Sequence, residues 1–505
     1  MRRSNQPSRG SLAIALLSAT AAMVGCDGGS GSANGADPAT GGSGDPMMST
    51  YTVSVTVTGV TGQGLVLELN GSQDQMVAAD GTVTFASGLM TGASYAVTVK
   101  TQPTTRREIC VVSNGSGTIG QANVSDVAVT CTIAAGFVYV VDPNSQIAAY
   151  GITPGTGAPI PDGTFAIPSS IEYTGLVAAP SGNFLYLLGR QPDQISTFAV
   201  DPNHGGLTQV NAPVAAGLAP SSMVMSPDGS FLFVDNIGVG SQTVQTFTVD
   251  PSTGALTPGG TLQLPNQSCS ATNYCPQAGE LAVRPDGKYL YILDYDVVND
   301  TTSVTPYAID PVTGGLTAGA AITFATNQWG TSMAVDPLGR FLYVAKSAEG
   351  GGPGHNTSAA VVSYMIDPMS GALTPGSSTV VSNGADLMAP DPTGRYLYVI
   401  YSGSDETVSN VLALAVDPSS GALSQIAAAV PISNSVMAAA CDRSGAFLFL
   451  GNYSTLPTGG QSWSDLTSFT IVRSGVGAGA VSLNGQGAQF PELTNGGGGE
   501  LAVVE

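Results

Sequence analysis

The chain is poor in charged residues, and above all in basic ones. Only 10% of its 505 residues are charged, and 14 Lys and Arg stand against 35 Asp and Glu, for a formal net charge of −21. An acidic surface argues against nucleic acid and anionic membrane surfaces as partners. It is compatible with cations or neutral ligands.

Histidine is scarce too. The two histidines are His204, inside the Asp201–Gly206 hairpin turn, and His355, in the glycine-rich loop Gly350–Asn356. A glycine-rich loop holds catalytic geometry poorly, so we expect neither ring to act as a general base. The sequence contains no Ser-His-Asp, Cys-His, zinc or phosphate-loop arrangement, which excludes the usual routes to nucleophilic and zinc catalysis.

The N-terminal apolar run, Leu12–Val24, is too short to span a bilayer and fits an export signal. The segment Met23-Val24-Gly25-Cys26 resembles a bacterial lipobox, in which the cysteine becomes the lipidated first residue of the mature protein. We therefore expect residues 1–25 to be a lipoprotein signal peptide, Cys26 to carry the membrane anchor, and residues 26–48 to be a flexible tether. The predicted location is the periplasm or the cell surface. The alternative is a plain secretion signal.

Six cysteines fit an oxidising compartment. With Cys26 assigned to lipid, the spacing favours two disulfides within single domains, Cys110–Cys131 and Cys269–Cys275. Cys441 is left over and occupies the repeat position of Val335, so we expect a free thiol that packs like a small apolar residue.

Residues 49–133 predict a separate small β domain. Apolar residues alternate with polar ones in three segments, beginning at Val53, Leu65 and Tyr95, and Asn-Gly and Asp-Gly turns separate the segments. This pattern indicates about seven short strands. An immunoglobulin-like sandwich, acting as a spacer or adhesion module, is the expected solution.

A repeat organises the rest of the chain. Pro227–Thr257 reads as a Pro-Asp-Gly turn, a strand, a polar loop, a second strand and an Asp-Pro turn, and close copies recur 47 to 58 residues apart. The strand after the first turn begins at seven positions: Phe137, Phe184, Phe231, Tyr289, Phe341, Tyr396 and Phe447. A strand of small residues precedes each first turn, and a fourth strand follows each Asp-Pro turn. Four strands in each of seven units predict an all-β, seven-bladed propeller over residues 134–505.

The first copy of the repeat lacks its innermost strand. Glu500-Leu501-Ala502-Val503 repeats Glu280-Leu281-Ala282-Val283 letter for letter. We therefore expect residues 500–505 to supply the missing strand and to close the ring.

The repeated pattern PxGRFLYV…F.IDPxTGALT resembles the lactonase family of seven-bladed propellers, which includes bacterial 6-phosphogluconolactonases and fungal carboxymuconate-cyclising enzymes. The resemblance extends from about Phe137 to Glu505, and the matching residues are mostly strand and turn residues. It implies the fold and, as an activity, hydrolysis or isomerisation of a sugar lactone or related sugar acid.

Anionic substrates are usually held by Arg or Lys. The propeller contains eight basic residues: Arg190, Arg284, Lys288, Arg340, Lys346, Arg395, Arg443 and Arg473. Only Arg190 and Lys346 are predicted in loops on the funnel side, where propellers usually bind ligands, and they are three blades apart. We therefore expect no useful 6-phosphogluconolactonase activity.

Acidic residues are the better candidates for a site. Glu280 and Glu500 share one repeat position near the mouth of the channel, and other acids are expected on the same rim or in a funnel-side loop of the fourth blade. These further candidates are Glu172, Asp386, Asp294 and Asp296, the last two accompanied by Asn299 and Asp300. Such oxygen ligands would suit Ca²⁺, although the spacing matches no EF-hand, and a solvated acidic rim is the alternative. The aspartates of the Asp-Pro turns, by contrast, are expected only to form turns.

Two functions fit these observations. The first is a binding or scaffolding lipoprotein, whose propeller engages a carbohydrate, a cation or a protein and needs no cofactor except, at most, Ca²⁺. The second is a lactonase-type hydrolase or isomerase that uses funnel carboxylates on a sugar lactone or sugar acid.

Overall fold

The computed structural model describes residues 49–142, 146–167, 172–238, 241–264, 280–296, 301–324, 330–347, 359–381, 385–402, 409–432, 435–455, 462–475, 477–486 and 501–504. These residues form 38 strands and their turns, without a helix. Among them, no helix is long and apolar enough to cross a membrane. All the strands belong to one compact unit, Thr50–Glu505.

Eight strands precede the propeller: β1 Thr50–Thr58, β2 Leu65–Leu69, β3 Gln73–Val77, β4 Gly81–Met90, β5 Ser94–Thr101, β6 Glu108–Ser113, β7 Ser116–Thr118 and β8 Val124–Ile133. They form two four-stranded sheets, ordered β4-β1-β8-β6 and β3-β2-β5-β7. Alternate apolar residues of both sheets, including Val55, Leu67 and Val129, share one core. The two-sheet domain therefore has eight strands instead of about seven, and its immunoglobulin-like class stays a prediction.

The remaining strands form seven antiparallel sheets, numbered here as blades 1 to 7 in chain order. Blade 1 contains β9 Phe137–Asp142, β10 Gln146–Ile152, β11 Pro159–Ala166 and the C-terminal β38 Leu501–Val504. Blade 2 contains β12 Glu172–Ala178, β13 Phe184–Arg190, β14 Gln194–Val200 and β15 Leu207–Ala215. Blade 3 contains β16 Pro220–Met225, β17 Phe231–Gly238, β18 Ser241–Val249 and β19 Leu256–Gln263. Blade 4 contains β20 Glu280–Val283, β21 Tyr289–Asp296, β22 Thr301–Ile309, β23 Leu316–Ala318 and β24 Ile322–Thr323.

Blade 5 contains β25 Gly330–Val335, β26 Phe341–Ser347, β27 Ala359–Ile366 and β28 Leu373–Val381. Blade 6 contains β29 Leu387–Pro390, β30 Tyr396–Ser402, β31 Ser409–Val416, β32 Leu423–Gln425 and β33 Val430–Ile432, and blade 7 contains β34 Ser435–Cys441, β35 Phe447–Thr455, β36 Ser462–Ile471 and β37 Val481–Gln486. The second strand of every blade begins at its predicted residue, which confirms the sevenfold repeat. The outermost strand is split into two short strands in blades 4 and 6.

The ring closes through the C-terminus, as predicted. Strand β38 pairs antiparallel with β9, with Leu501 opposite Val140 and Val504 opposite Phe137. The same strand contacts the innermost strands of blades 7 and 2, β34 and β12. The first and last blades are therefore joined by strand pairing as well as by packing.

A chain that ends at Gly499 lacks β38, so it would expose the edge of β9 and the apolar faces packed against it. We expect this chain to melt well below the full-length protein in a thermal unfolding experiment. A chain that ends at Val504 keeps the strand and is the matched control. Equal melting of all three proteins would show that the strand does not close the ring.

Neighbouring blades are locked together by a glycine and an aromatic ring. In every blade, the glycine of the turn between the two outer strands has a positive φ and lies against the first aromatic residue of the preceding blade's second strand. The seven pairs are Gly157–Phe447, Gly205–Phe137, Gly254–Phe184, Gly314–Phe231, Gly371–Tyr289, Gly421–Phe341 and Gly479–Tyr396. A Cβ at any of these glycines would lie under 3.0 Å from the ring. Turn conformation and blade packing therefore both require glycine here.

The turn of blade 1 allows these two requirements to be separated. Gly155 and Gly157 both have a positive φ, but a Cβ at Gly155 would meet nothing within 4 Å, whereas one at Gly157 would meet Phe447. We expect Gly155→Ala to cost about 1 kcal/mol of stability from φ alone. Gly157→Ala should cost about 1–3 kcal/mol more, because it overpacks the interface with blade 7. Equal losses in chemical denaturation would contradict the locking role of the contact.

The cysteines agree with the predicted pairing where they are described. Cys110 and Cys131 lie opposite each other on β6 and β8 and form a disulfide. Cys441 has no disulfide, and burial raises the pKa of its thiol well above the usual range. Cys26, Cys269 and Cys275 lie outside the described residues, so their roles stay predictions.

The two-sheet domain joins blades 1 and 2. The Arg107 guanidinium donates to the Pro202 carbonyl in the Asp-Pro turn of blade 2 at 3.0 Å, and Ile109 packs in the core between blades 1 and 2. Strands β1 and β8 run parallel, and β8 leads directly into blade 1. Thr50 therefore lies at the end of the domain remote from the junction. Thr50 and the propeller thus lie at opposite ends of the domain, and its role as a spacer stays a prediction.

Candidate functional site

The propeller has two chemically different faces. On the turn face lie the Pro-x-Gly turns and the Asp-Pro turns, whereas on the funnel face the innermost strands begin and the second strands end. The turn-face aspartates act as predicted: Asp417, for example, accepts bonds from Ser419 and Ser420, and these bonds lower its pKa to about 2. These carboxylates form turns, so they are not candidates for catalysis.

Arginines of the turn face join neighbouring blades. Arg284 of blade 4 donates to the Gly339 carbonyl of blade 5 at 3.1 Å. Arg340 makes two bonds to Asp336, at 2.8 and 2.9 Å, and a third to the Gly394 carbonyl of blade 6. The same kind of link joins Arg473 to Asp391 at 3.0 Å. These guanidinium groups are structural and lie away from the funnel.

Both basic residues assigned to the funnel side lie on strands, not in loops, and both contact the protein itself. Arg190 ends β13, and its Nε donates to the Pro220 carbonyl of blade 3 at 2.7 Å. Lys346 lies in β26, with Nζ 3.7 Å from the centre of the Phe324 ring, and burial lowers its pKa. Because they belong to blades 2 and 5, they do not form a joint anion site.

Among the acids that the structure describes on the funnel face, Glu280 has the most unusual environment. It begins β20, the innermost strand of blade 4, which packs beside the innermost strand β25 of blade 5. The residue as a whole is half-buried, but Oε2 is shielded from solvent and has no hydrogen-bond partner. Burial raises the pKa of Glu280 to about 8, and the neighbouring Met333 and Ser332 offset only part of that effect.

The other predicted acids that the structure describes belong to blades 2, 4 and 6. Asp294 and Asp296 lie in β21, opposite Ser303 and Thr301, so their assignment to a loop was wrong. Glu172 begins β12 opposite Arg190, and Asp386 directly precedes β29. Because Asp294 and Asp296 lie in β21, the second strand of blade 4 extends farther than its polar sequence indicated.

The cation site stays a prediction. Glu500, Asn299 and Asp300, which the sequence placed near the same rim, lie outside the described residues, as does His355. Within the described part of the chain, no three His, Cys, Asp or Glu side chains lie close enough together to hold a metal ion.

Sequence reasoning missed two features of the acids. The burial that raises the pKa of Glu280 comes from packing around β20, so nothing local in the sequence marked it. Asp162 in β11 is a second acid whose Oδ2 is buried without a partner, and burial raises its pKa to about 7. It lies in blade 1, away from blade 4. It therefore serves as a comparison for Glu280.

The sevenfold sequence repeat and the closed ring of seven sheets both define a seven-bladed β-propeller. The family model of the lactonase seven-bladed β-propeller matches residues 160–272, 240–350 and 348–468. The chain belongs to this lactonase family. No curated protein matches the chain by sequence.

Solved structures give the same fold at low identity. A periplasmic gluconolactonase from Pseudomonas aeruginosa is 20% identical, with 73% of this chain and 99% of that chain covered and a TM-score of 0.52. A putative 6-phosphogluconolactonase from Bacteroides fragilis is 17% identical, with 74% and 98% covered and a TM-score of 0.53. A protein from Lactobacillus plantarum is 18% identical, with 73% and 99% covered and a TM-score of 0.53. At these identities the likeness establishes the propeller fold alone.

The protonation of Glu280 should make the stability of the folded protein depend on pH. Its pKa is about 8 in the folded protein against 4.5 for the ordinary carboxyl, so wild type should lose stability as the pH rises through this range. Glu280→Gln removes that loss, and its melting temperature should exceed that of wild type by a margin that grows up to about pH 8 and then levels off. Asp162→Asn is the matched control, for which the margin should level off near pH 7. A margin for Glu280→Gln that does not change with pH would contradict the raised pKa.

Proposed function

We propose that this protein is a lactonase-type hydrolase that acts on an uncharged lactone, with Glu280 as its acid–base group. The observation that carries the proposal is the Glu280 carboxyl, with one buried oxygen left unpartnered and a pKa of about 8. A group whose pKa lies near the working pH is well suited to proton transfer. Membership of the lactonase family supports the reaction type.

In the proposed step, the ionised Glu280 carboxylate accepts a proton from water while the water oxygen bonds to the lactone carbonyl carbon. The carbonyl is restored as the bond to the ring oxygen breaks, and the Glu280 carboxyl returns the proton to that oxygen. The product is the open hydroxy acid. One carboxyl thus serves as base and then as acid, with no net change in the enzyme.

The charges of the described residues support an uncharged substrate. Arg190 bonds a carbonyl and Lys346 lies over an aromatic ring, in different blades. A phosphorylated sugar requires convergent cations or a nest of backbone N–H groups. An ionised Glu280 would in addition repel an anion.

A panel of lactones tests this proposal. Because one structurally similar protein is a gluconolactonase, glucono-lactone is the first substrate, and 6-phosphogluconolactone is the charged counterpart. We expect hydrolysis of the uncharged lactone above the spontaneous rate, little effect on the phosphorylated one, and about a 100-fold loss in Glu280→Gln. The Asp162→Asn control should retain activity. Preference for the phosphorylated lactone, or full activity of Glu280→Gln, would contradict the proposal.

A second candidate is a binding or scaffolding lipoprotein held by a lipid on Cys26. The position of the two-sheet domain favours it, since that domain contacts the propeller on the turn face, at Pro202. A funnel presented in this way suits capture of a carbohydrate or protein from the surroundings. Saturable binding of a lactone or sugar without turnover in the same panel would favour this candidate over the hydrolase.

A further inference from the structure

The turn face contains a cavity between blades 3 and 4. Its volume is about 690 Å³, which is within the usual range for ligand pockets. Blade 3 lines it with its first turn, including Asp228, and blade 4 lines it with its own first turn and its Asp-Pro turn, including Gly287 and Pro311. The cavity therefore lies on the face opposite to that of Glu280.

The equivalent groove between blades 4 and 5 is filled by an arginine. The Arg284 guanidinium donates to the Gly339 carbonyl at 3.1 Å and to the Pro368 carbonyl at 3.2 Å. It also donates to the Asp286 carboxylate of its own turn at 2.8 Å. The groove thus offers two backbone carbonyls and one carboxylate, a set of acceptors that suits the several donors of a planar guanidinium.

Between blades 3 and 4 the same acceptors are present, but the arginine is replaced. In the repeat, Ser226 stands at the position of Arg284. The equivalents of the three acceptors are Asp228, Gly287 and Pro311, and all three line the cavity. Among the described residues, none donates a hydrogen bond to the carbonyl of Gly287 or Pro311. These acceptors are therefore available to a donor from outside the chain.

The two glycines of these grooves show the space that the shorter side chain leaves. A Cβ on Gly339 would lie 3.1 Å from Arg284 Nε. A Cβ on Gly287 would meet only the Pro227 ring, at 3.9 Å. The exchange of arginine for serine thus accounts for the opening between blades 3 and 4.

Other turn-face carbonyls accept guanidinium groups from outside their own blade. Arg340 of blade 5 donates to the Gly394 carbonyl of blade 6 at 2.7 Å. Arg107 of the two-sheet domain donates to the Pro202 carbonyl of blade 2 at 3.0 Å. Pro202 stands at the repeat position of Pro311. An arginine from outside the propeller therefore already binds a turn of this kind.

The charge of the cavity suits a cation. Asp228 and Asp286 line it together with one basic residue, Lys288, whose Nζ lies 3.9 Å from the Asp286 carboxylate. The hydroxyls of Ser226 and Ser230 donate to the two oxygens of Asp228, at 2.6 and 2.8 Å, and fix its orientation. None of the ion pairs among the described residues includes Asp228. This carboxylate is therefore the one to pair with a cationic ligand.

We propose that the cavity binds the guanidinium group of an arginine side chain on a partner polypeptide. The guanidinium donates to the Gly287 and Pro311 carbonyls and to the Asp228 carboxylate. It thus repeats, from outside the chain, the contacts that Arg284 makes between blades 4 and 5. The site is separate from the funnel and does not depend on lactone hydrolysis.

Exposed apolar residues beside the cavity favour a polypeptide over free arginine. Val312 directly follows Pro311 and is 82% exposed. Met369, whose carbonyl accepts a bond from the Tyr289 hydroxyl, is 85% exposed. At the same turn position, blades 2, 3 and 6 have polar residues, namely Asn203, Ser252 and Ser419. Apolar side chains around a polar pocket are typical of protein interaction sites, and they would contact the residues that flank the arginine.

The test is a calorimetric titration of the protein with the tripeptide acetyl-Leu-Arg-Leu-amide. Two analogues carry lysine or citrulline in place of the arginine, and citrulline keeps the shape of the side chain without its charge. We expect saturable binding of the arginine peptide and about tenfold weaker binding of both analogues, because lysine lacks the planar fork and citrulline lacks the charge. Acetyl-arginine-amide, which has no apolar neighbours, should also bind about tenfold more weakly than the tripeptide.

Two variants test whether the peptide binds in this cavity. Ser226→Arg places the chain's own guanidinium there, as in blade 4, and should abolish binding of the arginine peptide. Asp228→Asn removes the charge of the acceptor and should weaken binding about tenfold. The matched control is Asp417→Asn, which changes a turn-face carboxylate of blade 6 outside the cavity and should leave the affinity unchanged.

Absence of saturable binding, equal affinities for the arginine and citrulline peptides, or an unchanged affinity in Asp228→Asn would overturn the inference. Equal binding of acetyl-arginine-amide and the tripeptide would contradict a polypeptide partner. If Ser226→Arg does not fold, Asp228→Asn still decides whether the cavity is the site. Because no lactone enters these titrations, their outcome is independent of the proposed hydrolysis.

Discussion

The propeller depends on one contact, made seven times, between a turn glycine and the aromatic ring that begins the preceding blade's second strand. The ring fills the space that a side chain on the turn would need, so each blade is held against the next. The contact is reinforced where a hydroxyl of the preceding blade donates to the glycine carbonyl, as Tyr139 does to Gly205 at 2.7 Å. In blade 3, where Phe233 replaces the tyrosine, Thr246 provides the hydroxyl instead. The bond is thus kept although the residue that makes it has changed.

Most of the propeller could be predicted because these requirements are local and are repeated. A Pro-x-Gly turn, a strand that begins with an aromatic residue and an Asp-Pro turn can each be recognised within a few residues, and seven copies define the ring. Closure by β38 was predictable for the same reason, since Glu500–Val503 copies the strand at Glu280. In the two-sheet domain the strand count differed, because β7 is three exposed residues, Ser116–Thr118, without apolar alternation.

The candidate site was less predictable, because its properties come from other blades. The sequence indicated Glu280 as a rim acid, but not that burial would keep its carboxyl protonated at neutral pH. No pattern within β20 contains that information. The end of β21 was also hard to predict. Its polar residues, such as Asp294, resemble a loop in the sequence, but they continue the hairpin, with Asp294 opposite Ser303.

Burial alone does not make an acid functional, and Asp162 shows why. It also has a raised pKa and an unpartnered oxygen, yet it lies in the outermost strand of blade 1, where no innermost strand begins. Glu280 differs because it begins an innermost strand, on the funnel face of the propeller. The basic residues complete the contrast, because the arginines that join blades 4 to 7 lie on the turn face. Positive charge thus joins blades on the turn face, whereas on the funnel face burial raises the pKa of an acid to about 8. The uncharged lactone proposed as the substrate fits this distribution of charge.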